Sequence, residues 1–285
     1  MSEVSYDPSL ALNNAIRIPI FVEDDETKVY FENAFTELCI SHEFIVASGT
    51  FGVASRIQEY SQKHHNAKAF GVRDRDYGDD DSLNWCKAER CSFALRRHEI
   101  ENYCLNWKFI SLYASERLHI DVKMGDIESF AKDYAKGIAY AVAYNSMISK
   151  LEKEVHCSVL QCVRIYSKPY ESLSAVESDK TIRSIEDARA RLFKIKSHAF
   201  SFVEDMLDAE VARYMASLVS DDWLVLFPGK EILDAIRCRF FASAPSDDSL
   251  IRFVAQHQKA DGSIAEDLTR LKAVIVDKSS TATGA

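Results

Sequence analysis

In the early part of the chain, short apolar runs alternate with amphipathic ones. "RIPIFV" reads as a buried strand, "DETKVYFENAFTELC" as a helix with Val29, Tyr30, Phe31, Ala34, Phe35 and Leu38 at helical spacing, and "HEFIVAS" as a second strand. "TFGVASRIQEYSQKH" then reads as a second helix and "AKAFGV" as a third strand, and beyond the acidic loop "DYGDDDSLNW" the segment "CSFALRR" reads as a fourth strand. Strands separated by helices of this length need crossover connections. They predict right-handed βαβ units and a mainly parallel sheet flanked by helices, an α/β fold.

From about residue 105 the alternation stops. "DIESFAKDYAKGIAYAVAYNSMISKLEKEV" and "SIEDARARLFKIKSHAFSFVEDMLDAEVARYMASLVS" have the length and period of long helices, whereas "CSVLQCVRIYSKPYESLSAVES" between them fits neither pattern. "DDWLVLFPGKEILDAIRCRFF" breaks at Pro228 and Gly229 before a new helix starts. The closing "KSSTATGA" is small and polar, as in a disordered tail. The expected division is an α/β core over 1–107, a mainly helical region over 108–275 that completes the site and docks partners, and a tail over 276–285.

Composition narrows the classes. With 285 residues, 47% hydrophobic and 28% charged, the chain can bury a sizeable core and is not disordered. It offers no apolar span of about 20 residues and no secretory leader, so the expectation is a cytoplasmic protein that does not enter the membrane. Its cysteines are then thiols. Cys86 and Cys91, like Cys157 and Cys162, are spaced too widely for a CxxC pair, and no histidine-rich knuckle completes a zinc site. A net charge of −9 excludes a protein that coats nucleic acid non-specifically. Local arginine and lysine clusters, or metal ions seated on carboxylates, can still hold a polyanion.

The carboxylates are the conspicuous chemistry. Glu23 to Glu26 form an acidic run at the end of the first strand, and Asp74 and Asp76 follow the third in "GVRDRDYG". In a parallel sheet these strand ends share the edge where ligands bind. If the extended conformation persists, Asp74 and Asp76 project to the same side. Unpaired like charges raise one another's pKa, and a divalent cation reverses that cost. Magnesium or manganese, one ion or two, suits such oxygen ligands, and two ions would allow phosphodiester hydrolysis. The same acids also have an ordinary reading: Asp24 or Asp25 can simply cap the helix that follows.

A glutamate after the first strand and Asp-x-Asp after the third, here Glu23, Asp74 and Asp76, resembles the TOPRIM fold of nucleases, topoisomerases and primases. Glu26 extends this to the Glu-x-x-Glu of OLD-like TOPRIM nucleases. "LRRHEIENYCLN" and "FPGKEIL" resemble segments of the TOPRIM family that contains the AriB effector of the PARIS anti-phage system. One departure is that Asp24 stands where the TOPRIM glutamate is commonly followed by glycine. "FVEDDE" and "YSKPY" also echo a response-regulator receiver domain. Lys168 lies too far beyond Asp74 for that compact fold, and "RDRDYG" lacks the receiver's Met-Pro turn.

The resemblance implies that Glu23 and Glu26 bind metal and position water, and that Asp74 and Asp76 hold one or two magnesium ions. Glu101 would bind metal directly or orient a ligand, and Lys230 would neutralise transition-state charge. Glu101 can equally start a helix or pair with Arg96 or Arg97, which are also candidate substrate-binding residues, and Lys230 can be an ordinary surface lysine. Asn102 and Tyr103 read as capping and packing residues, and His98 as a surface or interface residue. Arg189, Arg191, Lys194 and Lys196 lie on a predicted helix as a solvated face or a grip on phosphate.

By resemblance the chain is a Mg-dependent endoribonuclease that cleaves transfer RNA as the toxic effector of a defence system. An ABC-type ATPase subunit would restrain it, and the active form would be a homodimer. The alternatives are a non-catalytic TOPRIM-shaped adaptor that regulates the ATPase, and an OLD-like nuclease that cleaves DNA.

Overall fold

The structure, a computed structural model, describes residues 17–48, 50–64, 68–77, 91–155, 200–241 and 247–280. By backbone contacts the chain forms two compact units that interleave along the sequence. The first takes Met1–Arg73, Asn84–Ala94 and Ala255–Ala285, and the second takes Asp74–Leu83 and Leu95–Val254. This differs from the expected contiguous division in two respects: residues 74–83 and 95–107, expected in the α/β core, belong to the second unit, and the last helical stretch joins the α/β unit rather than the helical region.

The first unit is built on four strands, β1 (Ile18–Val22), β2 (His42–Val46), β3 (Phe70–Arg73) and β4 (Ser92–Ala94), in the order β2-β1-β3-β4 and all parallel. Among the described residues, the four segments expected to be strands are the four that form. Parallel strands are covered on both faces, which is why they read as unbroken apolar runs. Ile20, Val22, Phe44, Phe70 and Val72 are buried on one face, in register across β1, β2 and β3. Helix α1 (Asp25–Ala34) packs there, with the Phe31 and Phe44 rings 5.6 Å apart. A short helix α2 (Leu38–Ser41) leads into β2.

Phe21 lies on the other face, in a cluster with Ala47, Val53 and Ala69 under helix α3 (Thr50–Lys63). At Gly71, on this face, a Cβ would stand 2.4 Å from Val53 Cγ1 and 2.7 Å from Ile57 Cδ1. A bare backbone there is what lets α3 lie so close to β3.

The second unit is helical: α4 (Glu101–Cys104), α5 (Trp107–Leu118), α6 (Met124–Val155), α7 (Phe200–Ser217), α8 (Trp223–Leu226) and α9 (Gly229–Phe240). Helix α10 (Asp247–Asp261) begins in this unit, and its last turns, from Ala255, belong to the first. Residues 141–149 of α6 are all buried, as in a helix enclosed by its neighbours. Three of them are polar, Asn145, Ser146 and Ser149. Trp107 and Trp223 stack at 6.1 Å, and Tyr113 meets Phe253 edge-on at 5.2 Å.

Helix α11 (Glu266–Ser280) returns to the first unit, where Leu268, Leu271 and Ile275 are buried. The expected tail at 276–285 is therefore helical through Ser280. This end of the chain is held by specific partners: Ser279 Oγ lies 2.9 Å from His42 Nε2, the Lys278 carbonyl accepts from Lys68 Nζ, and the Lys278 ammonium lies 5.8 Å from the Phe93 ring centre. Tyr30 donates to Gln258 Oε1 at 2.6 Å, fixing the end of α10 to α1. Glu37 takes ion pairs from Lys259 and Lys272.

Burial lowers the pKa of His42, against a smaller upward pull from the backbone at Leu38. The unfolded chain then binds the proton more readily than the folded one. Stability should fall as pH drops through about 6.5, the unfolded value, and level off below the folded value. Melting curves run between neutral pH and about pH 5 should show this fall, and His42→Gln should flatten it. An unchanged slope would assign it to other groups.

Among the described residues, Cys39, Cys91, Cys104 and Cys238 are free thiols, and no helix is long and apolar enough to cross a membrane.

Candidate functional site

The acidic run at the end of β1 does not act as one block. Asp24 is the N-cap of α1, with extended backbone (φ −143°) and its Oδ1 accepting the Thr27 amide at 2.8 Å. Asp25 and Glu26 occupy the first turn, where negative charge is favoured by the helix dipole. Glu23 is buried, Glu26 half-buried and Asp25 exposed. The ordinary capping role therefore belongs to Asp24. Because Asp24 is extended, this turn has no need of a glycine.

Strand β1 pairs directly with β3, with Val22 opposite Val72. Glu23 is the next residue after β1, and Asp74 the next after β3. These strands run in parallel, so both leave the sheet at the same edge.

The second unit carries the remaining candidates. Extended conformation does not persist past β3: Asp76 has φ +50°, and the amides of both Arg75 and Asp76 donate to one acceptor, the His98 carbonyl, at 3.0 and 2.9 Å. The two amides converging on one oxygen bend the chain, so alternation along a strand does not govern the Asp74 and Asp76 side chains. Asp76 tolerates the left-handed region better than most residues would. Asp74 is half-buried and Asp76 exposed.

His98 itself is only 4% exposed, not the expected surface or interface residue. Charged neighbours in sequence say little about which way a side chain faces: Arg96 is exposed, whereas Tyr77 packs edge-on against the His98 ring at 5.0 Å. His98 Nδ1 lies 3.8 Å from Glu99 Oε2. Burial raises the Glu99 pKa, but the adjacent His98 ring, with the amide and charge of Lys230, outweighs it and leaves the carboxyl below its ordinary value.

The segments "HEIENY" and "FPGK" meet in this unit. Glu99 Oε1 accepts the Lys230 amide at 2.5 Å, and the Lys230 ammonium lies 4.0 Å from Glu101 Oε1. Glu101 is buried, and the Lys230 ammonium stands within ion-pairing distance of it. Lys230 is half exposed, in the first turn of α9 where a cation opposes the helix dipole, and the two carboxylates offset that cost.

Asn102, fully buried, joins the two segments. Its Nδ2 donates to the carbonyls of Leu224 and Phe227 at 2.9 and 2.8 Å, and its Oδ1 accepts the Glu99 amide at 3.0 Å. Gly229 is pressed against it: a Cβ there would stand 2.5 Å from the Asn102 amide nitrogen and 2.7 Å from its Cγ. The Tyr103 hydroxyl accepts the amides of Arg96 and Arg97 at 3.2 Å each. Arg97 donates to the Asn102 carbonyl at 2.7 Å and lies over the Tyr103 ring at 4.8 Å. The capping and packing roles expected of Asn102 and Tyr103 are those found, and Arg97 is engaged in holding this turn.

For a divalent cation the donor chemistry fits, since Glu23, Glu26, Asp74, Asp76 and Glu101 supply hard oxygens. Among the described residues, no group of three or more His, Cys, Asp or Glu is gathered closely enough to hold a metal by itself. The basic residues Arg189, Arg191, Lys194 and Lys196 lie outside the described residues.

One feature had no sequence signal. Arg75, between the two aspartates, is buried, and its Nη1 donates to the Arg96 carbonyl at 3.0 Å. In the sequence it stands between two aspartates, and nothing local marks it as buried. A scan against protein-family models finds no match for this chain, and neither does a search of curated proteins.

Proposed function

We propose that this chain is a metal-dependent endoribonuclease of TOPRIM type, the toxic effector of an anti-phage defence system, with transfer RNA as its target and an ABC-type ATPase as its restraint. The observation that carries the reading is the parallel pairing of β1 with β3, Val22 opposite Val72, followed immediately in sequence by Glu23 and Asp74.

In this reading Glu23, Glu26, Asp74 and Asp76 ligate one or two Mg²⁺ or Mn²⁺ ions. Magnesium keeps several of its waters and takes only one or two protein carboxylates, so it needs no closed protein cage. When bound, the cation would supply Lewis-acid stabilisation of charge on the phosphoryl group. Glu26 positions the attacking water, Glu101 orients a ligand from a buried position, and Lys230, on its carboxylate support, meets developing negative charge. The active species is a cytoplasmic homodimer, and the helical unit offers the surface for the ATPase.

A second reading is a non-catalytic adaptor that regulates the same ATPase. It is favoured by the structural work several acids perform: Asp24 caps α1, Glu99 holds the Lys230 amide, and Glu101 faces Lys230.

Calorimetric titration of Mg²⁺ and Mn²⁺ into the full chain separates the two. Saturable binding that is lost in both Glu26→Ala and Asp74→Ala supports the nuclease. Absence of binding, or binding unchanged in both variants, rejects the metal site and leaves the adaptor. Sequencing nucleic-acid ends from cells expressing the active protein distinguishes RNA from DNA as the substrate.

A further inference from the structure

The second unit contains a cavity of about 480 Å³ whose lining includes Arg75, Arg213, Ser217, Ser220, Asp222 and Leu226. It is roughly the size of a nucleotide site, since small-molecule pockets run from about 300 to 1,000 Å³, and it is larger than a single inorganic anion requires.

Its charge comes from two guanidinium groups, each presenting a planar fork of donors that matches a phosphate. Both are pinned in place. Arg75 donates to the Arg96 carbonyl, and its backbone amide is held by the His98 carbonyl. Arg213 donates to Glu210 Oε2 at 3.3 Å and lies 5.7 Å from the Tyr214 ring centre. Pinned donors lose little freedom when a ligand arrives, which favours binding.

Glu210 does not cancel Arg213. It is buried, and it also takes the Lys150 ammonium on Oε1 and the Ser146 hydroxyl on Oε2 at 2.7 Å. Within this group two cations face one carboxylate. The acid lining the cavity is Asp222, exposed and accepting the Ser220 hydroxyl at 2.9 Å. The lining thus brings two arginines together beside one exposed acid, in a chain whose overall charge is −9. Positive lining concentrated in one cavity of an acidic protein is a selective feature rather than a general attraction for polyanions.

We propose that this cavity binds a phosphate ester of a nucleotide, clamped between Arg75 and Arg213, with the Leu226 side available to the sugar or base. With a nucleic-acid strand as the source, the inference rests on the nuclease reading. Arg75 lies between Asp74 and Asp76, so the clamp would hold a phosphate of the same strand beside the one cleaved.

The test is fluorescence anisotropy of a labelled short single-stranded RNA on the full chain in EDTA, where no cleavage takes place, with adenosine monophosphate as competitor. Arg213→Ala should weaken RNA binding about tenfold or more and lower the salt slope by about one. Ser220→Glu changes an exposed rim residue and puts a negative charge at the cavity. It should weaken binding similarly, and it serves if Arg213→Ala fails to fold.

Competition by the mononucleotide, lost in the same variants, supports the site with a free nucleotide as its source. RNA binding without such competition supports the strand. RNA affinity and salt slope unchanged in a folded variant, or no binding of either probe to the wild type, overturns the proposal. Because binding is read without metal, failure of catalysis leaves this result standing, and failure of binding leaves the metal titration standing.

Discussion

Asp74→Ala is expected to lower phosphodiester cleavage about a thousandfold, a loss of about 4 kcal/mol of transition-state stabilisation, the scale a ligated cation supplies. Asp74 is half-buried and lies in no special backbone region, so the truncated protein should keep its fold and its circular dichroism spectrum. Toxicity in cells should disappear with the cleavage. Asp76 needs a different substitution. Its φ of +50° would strain an alanine by about 1 kcal/mol, so a loss in Asp76→Ala would confound backbone with charge. Asp76→Asn keeps a residue that tolerates this conformation while removing the negative charge. Full cleavage by Asp74→Ala and Asp76→Asn in a quantitative RNA assay would refute the role assigned to both aspartates.

The largest stability effect should come from Asn102→Ala, at about 3 kcal/mol or more. The substitution leaves the Leu224 and Phe227 carbonyls, both at the end of α8, without the side-chain donor that caps them, and it strips the Glu99 amide of its acceptor. The shape lost is equally specific, because Gly229 packs directly on the missing amide. Asn102→Asp retains the shape but replaces the donating group with a buried charge, so it should also destabilise. Urea unfolding monitored by circular dichroism gives the values. A loss under about 1 kcal/mol for Asn102→Ala would mean that water or relaxation replaces the bridge.

Much of this was legible in the chain. Each of the four strands is a short apolar run bounded by polar or turn residues, a pattern that specifies a doubly covered sheet strand regardless of distant contacts. The break at Pro228 and Gly229 shows in the sequence for the same reason, since a missing amide and a missing Cβ act locally.

What escaped depends on tertiary partners. The alternation argument for Asp74 and Asp76 presumed a strand, but one carbonyl, that of His98, captures two successive amides and ends it. The sequence near Ser279 is small and polar, and only the distant His42 and Lys68 make it an ordered helix. Asn102 could be read as a capping residue, but not as the cap of α8, which lies more than a hundred residues downstream. Arg75 was hidden by the acids beside it, and its worth depends on Arg213, on a helix no local pattern connects with it.

The interleaved chain path bears on when the protein can complete itself during synthesis. The α/β unit draws on residues from Ala255 onward, about 180 residues after β3 has been made. A nascent chain paused anywhere in the helical stretch would leave the apolar face met by α11 open to water, so it would be a target for chaperones and proteases. Translation arrested before that point would then leave unfinished copies to be degraded, while copies completed earlier would persist.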